Sequence, residues 1–309
     1  MIDKIHYSHK LLLLYCASML SSFSFGQDST QVITESTELA TETYSEPIRT
    51  FESTRIINGH SVENLRKGVL EFRIEHRFGD MAGSNGGAQN WFGFDNASDI
   101  RMAFEYGVTD KFMVGLGRSK GNGNPYRSLL DAFGKYRILH QSSTTPFSLS
   151  ANGTVTYTYQ KASDDISSVN YYPKQVHRLA YAAQINVARK FGESLSLAVM
   201  PTLVHRNYVA SNDQNTVFSM GGAIRWSITS KVGVLAEYYH CFNQTNLRTE
   251  NENSLGFAIE WITFGHNFTV YLTNSSGFTE TQFITNTNEK WSKGQFRLGF
   301  CIGRKFEKG

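Results

Sequence analysis

The sequence predicts an all-β fold: a closed up-and-down antiparallel transmembrane β-barrel of about 12 strands, with short periplasmic turns and long extracellular loops. Three observations predict it. Apolar and polar residues alternate with period 2 in twelve segments, the connections between these segments alternate short and long, and no apolar run after residue 26 is long enough for a membrane-spanning helix. A mean hydropathy of −0.34 is no objection, because alternation hides an apolar face from any average.

In chain order, Lys4, His6 and Lys10 precede an apolar run from Leu11, and small residues follow up to Gly26. That order of charge, apolar run and small residues is a secretory signal peptide, expected over residues 1–26. Its removal takes away two bases, Lys4 and Lys10, and one acid, Asp3, so the formal charge falls from +3 to +2. Near-neutrality gives no support for a nucleic-acid partner. Residues 27–50 are rich in Ser, Thr and Glu and read as a polar flexible linker. Residues 51–67 read as a turn and a short amphipathic helical piece, either periplasmic or a plug for the barrel that occupies 68–309.

The first strand is expected at 68–78, where Leu70, Phe72, Ile74 and Phe78 lie on one side and Glu71, Arg73, Glu75 and Arg77 on the other. The clearest strand is 146–160. There Phe147, Leu149, Ala151, Val155, Tyr157 and Tyr159 share one phase, and Ser148, Ser150, Asn152, Thr154, Thr156 and Thr158 share the other. It exceeds the length usual for soluble strands and matches the roughly 9 to 11 residues that cross a bilayer at a tilt. Further strands are expected at 99–108, 111–119, 129–141, 176–190, 195–207, 216–228, 231–243, 254–264, 266–274 and 295–306. Short connections fall at 109–110, 141–146, 191–193, 229–230 and 264–266, and long ones at 79–98, 120–128, 161–175, 208–215, 244–253 and 275–294. A Greek-key sandwich has no reason to alternate in this way, whereas a membrane barrel does. Both termini then lie on the periplasmic side of the outer membrane of a Gram-negative bacterium.

The last strand should pair with the first, because an open sheet edge has no water to bond in hydrocarbon. Within it Phe296, Leu298, Phe300 and Ile302 alternate with Arg297, Gly299, Cys301 and Gly303. With Phe306 as the terminal aromatic, the apolar set is expected to face lipid and to be read by the barrel-assembly machinery during insertion.

The successions HSVENLRKGVLEFRIEHRFG and FGFDNASDIRMAFEYGVTDKFMVGLGRS resemble an uncharacterised β-barrel family of exported proteins from the Bacteroidetes, known as a domain of unknown function. The resemblance covers about residues 50–306. It implies an outer-membrane barrel and transfers no catalytic or binding residue.

The inward phase collects Arg73, Arg77, Arg101, Lys135, Arg137, Arg178, Arg206, Arg225 and Arg297 against Glu71, Glu75, Glu105, Asp131, Glu237 and Glu260, a surplus of three cations. The structural reading is a network of buried pairs. The functional reading is a constriction that weakly favours anions. Twelve strands stand between the roughly 8 whose side chains fill a barrel and the 16 to 18 that leave a wide channel. The expectation is a narrow pore or small-solute channel. The alternative is a non-conducting barrel that binds an envelope partner, through the linker or the loop 275–294 with its Phe278, Phe283, Ile284 and Trp291.

The less favoured alternative is an outer-membrane acyl hydrolase or acyltransferase, which would use a Ser and a His at the outer rim. His60-Ser61 precedes the first strand and should be periplasmic, and there is no Gly-x-Ser-x-Gly elbow. His76, His205 and His240 read as interfacial histidines at strand ends. Asp164-Asp165 and Asp213 match no cation-ligand spacing, so no metal or cofactor is expected. Cys241 and Cys301 are the cysteines left after signal cleavage, and their pairing is left open.

Overall fold

The structure is a computed structural model that describes residues 47–96, 99–121, 123, 125–211, 213–242 and 251–307. The signal peptide expected at 1–26 and most of the linker expected at 27–50 lie outside the described residues. The chain divides into two units after Tyr44, and the barrel belongs to the second, Ser45–Gly309.

Twelve strands are present among the described residues: β1 (Leu70–Asp80), β2 (Asp99–Gly107), β3 (Phe112–Lys120), β4 (Ser128–Leu139), β5 (Ser148–Thr158), β6 (Leu179–Phe191), β7 (Leu195–Arg206), β8 (Thr216–Ser227), β9 (Val232–Cys241), β10 (Ser254–Thr263), β11 (His266–Thr273) and β12 (Arg297–Phe306). Each pairs antiparallel with its neighbours in sequence, and β1 pairs with β12 to close the barrel. The closing register sets Leu70 opposite Phe306, Ile74 opposite Ile302 and Arg77 opposite Gly299, with an irregularity between Arg77 and Asp80. One end of the barrel carries the short turns and both chain ends of the sheet, and the other carries the long loops.

Alternation places the two phases as the sequence requires. Phe104, Leu116, Val199, Trp226, Ile259, Trp261 and Val270 are exposed on the outer surface, while Glu105, Ser119, Met200, Arg225 and Glu260 are buried inside. Small inward residues on β12 have a steric cause. A Cβ at Gly299 would collide with the Tyr271 ring, and one at Gly303 with the Glu71 carboxylate. Leu298, Phe300, Ile302 and Phe306 follow the outward phase, with Phe306 half exposed at the short-turn end. Phe296 precedes β12 instead of belonging to it, and its ring stacks on Trp291 at 4.8 Å.

One expectation about local structure changes. Residues 51–67 form no helix; they run as bends with one bridge between Arg55 and His60. The loop after β11 does hold a short helix, α1 (Glu280–Phe283), started by a capping box in which Thr279 and Gln282 exchange bonds with each other's backbone amides. The core lies inside the barrel. Phe51, Ile56, Ile57 and Val62 meet Met200, Val204, Leu235 and Tyr239 from the strands, and Phe283 and Ile284 from the loop.

Candidate functional site

The site is the lumen, filled by two excursions of the chain. Residues 50–65 are buried and bonded to inward side chains on widely separated strands, so they run inside the barrel. From β9, Glu237 accepts backbone hydrogen bonds from Ile57 (3.1 Å), Asn58 (2.8 Å) and Gly59 (3.2 Å). Three amides converging on one carboxylate neutralise it in part without a cation. From β2, Glu105 accepts from the Thr54 hydroxyl at 2.7 Å. From β4, the Lys135 ammonium donates to the carbonyls of Thr54 (2.9 Å) and Ser61 (3.2 Å).

Residues 275–287 enter from the long-loop end. Glu280, Thr281, Gln282 and Phe283 are fully buried. Thr154 on β5 donates to Glu280 at 3.3 Å, and the Thr281 and Thr156 hydroxyls lie 3.1 Å apart. Phe283 meets the edge of Tyr239, whose hydroxyl accepts from Gln184. The two excursions touch at mid-lumen. Arg55 donates to the Phe278 carbonyl at 3.3 Å, and His60 Nε2 lies 3.7 Å from Glu280 Oε1. Arg77 reaches both: its guanidinium donates to Asn58 Oδ1 (2.7 Å) and to the Ser275 carbonyl (2.8 Å), and lies over the Phe278 ring.

The inward charges form several groups. Arg101 grips Asp131 with two bonds, of 2.6 and 3.0 Å, and Glu75 with a third of 2.6 Å. Arg73 pairs with Glu71 at 2.9 Å, while Arg73 and Arg55 both lie 3.7 Å from Glu105. Arg225 pairs with Glu260. The surplus cations find anions other than the six inward acids expected from the sequence. Arg137 takes Glu63 at 3.2 Å, Arg206 takes Asp213 at 3.0 Å, and Arg297 takes Asp99 and Glu289. Arg178 stands apart, in a 3-10 turn before β6, where it donates to the carbonyls of Thr158 and Gln160. At the short-turn mouth, burial pushes the Glu63 carboxyl up, but Arg137, Arg49 and the Thr50 amide outweigh it and hold its pKa below the ordinary 4.5.

His60 and Ser61 lie inside the barrel, in line with the plug alternative for 51–67. His60 is fully buried against the Phe133 ring, because the chain turns into the lumen before β1 begins. The charge is also uneven around the wall. β5, β6 and β7 present hydroxyls, amides and alanines, such as Ser150, Asn152, Ala182, Asn186, Ser196 and Ala198. Sequence reasoning missed the partners Arg55, Glu63, Glu280 and Glu289, although the three-cation surplus was a signal that anions had to come from elsewhere.

A closed sheet with an apolar outer face and a charged, polar interior defines a membrane-bound β-barrel. The chain belongs to the family Membrane bound beta barrel domain (DUF5777), whose model matches residues 51–306. No curated protein matches the sequence. Among solved structures it is similar to the KdgM porin, at 9% identity and a TM-score of 0.46 over 77% of this chain and 99% of that one. It is similar to the NanC porin at 9% identity and a TM-score of 0.46, over 78% and 100% of the two chains. An outer membrane channel from Pseudomonas putida F1 gives 14% identity and a TM-score of 0.43, over 79% and 98%.

Proposed function

We propose that the chain is a gated outer-membrane channel for small polar solutes, drawn here in its closed form, with both termini on the periplasmic side. The observation that carries this reading is the meeting of two chain segments, from opposite ends of the barrel, at Arg55–Phe278 and His60–Glu280. Residues 50–65 act as a fixed plug, because carboxylates and cations on β1, β2, β4 and β9 hold them. The family match over residues 51–306 includes this segment. The loop 275–287 is the movable half: among the described residues α1 meets the β5 wall through two bonds of hydroxyl and carboxylate groups, and Arg55 and Arg77 hold backbone carbonyls before it. With the loop withdrawn, the passage would run along the hydroxyl-, amide- and alanine-lined middle of β5 to β7, below the Arg206–Asp213 pair at the long-loop end.

A hydrolase reading is weaker on the same geometry. Ser61 Oγ donates to the Ser53 carbonyl and accepts from the Glu63 amide, so the hydroxyl is tied into its own turn. The test is conductance of the purified full chain in planar bilayers. Wild type is expected to rest closed with rare ion-conducting steps. Glu237→Ala, which strips three amides of their acceptor, is expected to raise the open fraction. Silence in both proteins overturns the channel reading.

A further inference from the structure

At the long-loop end the barrel opens into a cavity of about 730 Å3, within the roughly 300–1,000 Å3 range of small-ligand sites. Its lining has an unusual chemistry. Five asparagines face it: Asn85, Asn96, Asn274, Asn286 and Asn288. Asn274 is fully used, since its amide group bonds Leu255, Asn253 and Glu289. The side-chain amides of the other four make no hydrogen bond among the described residues, so each offers a donor and an acceptor to the cavity. The charged lining residues balance: Asp80, Asp99 and Glu289 stand against Lys120, Arg127 and Arg297. No large apolar side chain lines the space.

We propose that this cavity captures an uncharged oligosaccharide on its way into the barrel. Sugar hydroxyls both donate and accept, as the free amides do, so the two match without any charge. A cavity of zero net charge gives no advantage to an anion or a cation. With no aromatic platform in the lining, binding is weak, at about millimolar Kd, which suits a site that must release its solute. The cavity also touches both roots of the lumen-filling loop, with Asn274 and Ser276 on one side and Asn286 and Asn288 on the other. A bound solute therefore contacts the segment that closes the passage, and it opens the loop only insofar as it binds the withdrawn position more tightly.

The capture role rests on the channel reading, but binding is measured without conduction. Titration calorimetry on the full chain in detergent would use maltotetraose, cellotetraose, xylotetraose and mannotetraose at up to about 10 mM, with the carboxylate-bearing maltotetraonate for comparison. At least one uncharged probe is expected to bind, with an affinity that does not change between low and high salt. The Asn286→Leu/Asn288→Leu double variant should lose about tenfold or more in affinity, and Asn96→Leu, outside the lumen-filling loop, should lose it too. Unchanged heat-dependent electrophoretic mobility would show that both variants are folded. Failure of every uncharged probe, salt-sensitive binding of maltotetraonate alone, or full affinity in the folded variants would each overturn the proposal. Binding without conductance would sink the channel reading and leave the saccharide site standing.

Discussion

Arg101 shows what a single residue does in this interior. It is fully buried and holds two carboxylates, Glu75 from the adjacent β1 and Asp131 from β4, beyond β3. Arg101→Ala leaves both acids buried without their cation, which costs about 3 to 5 kcal/mol. The expected readout is a lower urea midpoint in detergent micelles, followed by tryptophan fluorescence. An unchanged midpoint would mean that water already reaches this group. On the outer surface the logic reverses. Phe300 faces outward beside His76, whose ring stacks on it at 5.4 Å. Phe300→Arg puts a charge into hydrocarbon at about 2 to 4 kcal/mol near the midplane. It and Phe306→Ala are expected to lower the amount of barrel recovered in the membrane fraction. Normal levels of both would remove β12 as the segment that assembly reads.

At the scale of elements, the N-terminal segment and the strands differ in how they could be read. All twelve strands fall within a few residues of their expected positions, because alternation is a local property and each strand carries its own. The inward and outward assignment followed from the same phase, and the closing pair β1–β12 from the need to abolish edges. The segment 50–65 had no such period. Its path is set by contacts far away in sequence, such as Ile57 with Glu237 and Thr54 with Glu105, which no local pattern encodes. Phe296 and Arg178 were misplaced for a smaller reason: each continues the alternation one or two residues beyond the last ladder bond.

The segment's neck makes a pH prediction. Glu63 is bonded by the Thr50 amide and hydroxyl and paired with Arg137, and its pKa is held below the ordinary 4.5. A depressed acid adds stability that is fully present above its unfolded pKa and is lost as pH falls through the folded one. Wild type should therefore lose this clasp only in acid, below the ordinary carboxylate range. Glu63→Gln should be less stable at neutral pH and should respond less to acid. Parallel acid responses in the two proteins would assign the effect to other carboxylates.

For the whole molecule, the question is whether the barrel needs its contents. Each strand pairs with its neighbours and no edge is left open, so backbone bonding is complete without the segment. Side-chain chemistry is not complete without it. Glu237 would lose three amide donors, Lys135 two carbonyls and Arg137 its carboxylate. Removing residues 51–65 while keeping residues 1–50 and β1 therefore separates two contributions. The sheet should still close, seen as heat-dependent mobility on electrophoresis, because closure depends on the ladder. The urea midpoint should fall, because buried charges lose partners that water replaces only in part. Conductance should rise above that of Glu237→Ala, because the deletion clears the half of the lumen that the point mutation only loosens. A deletion protein that fails to close would show that the segment templates the barrel. One that closes but stays silent would show that the loop 275–287 seals the lumen by itself.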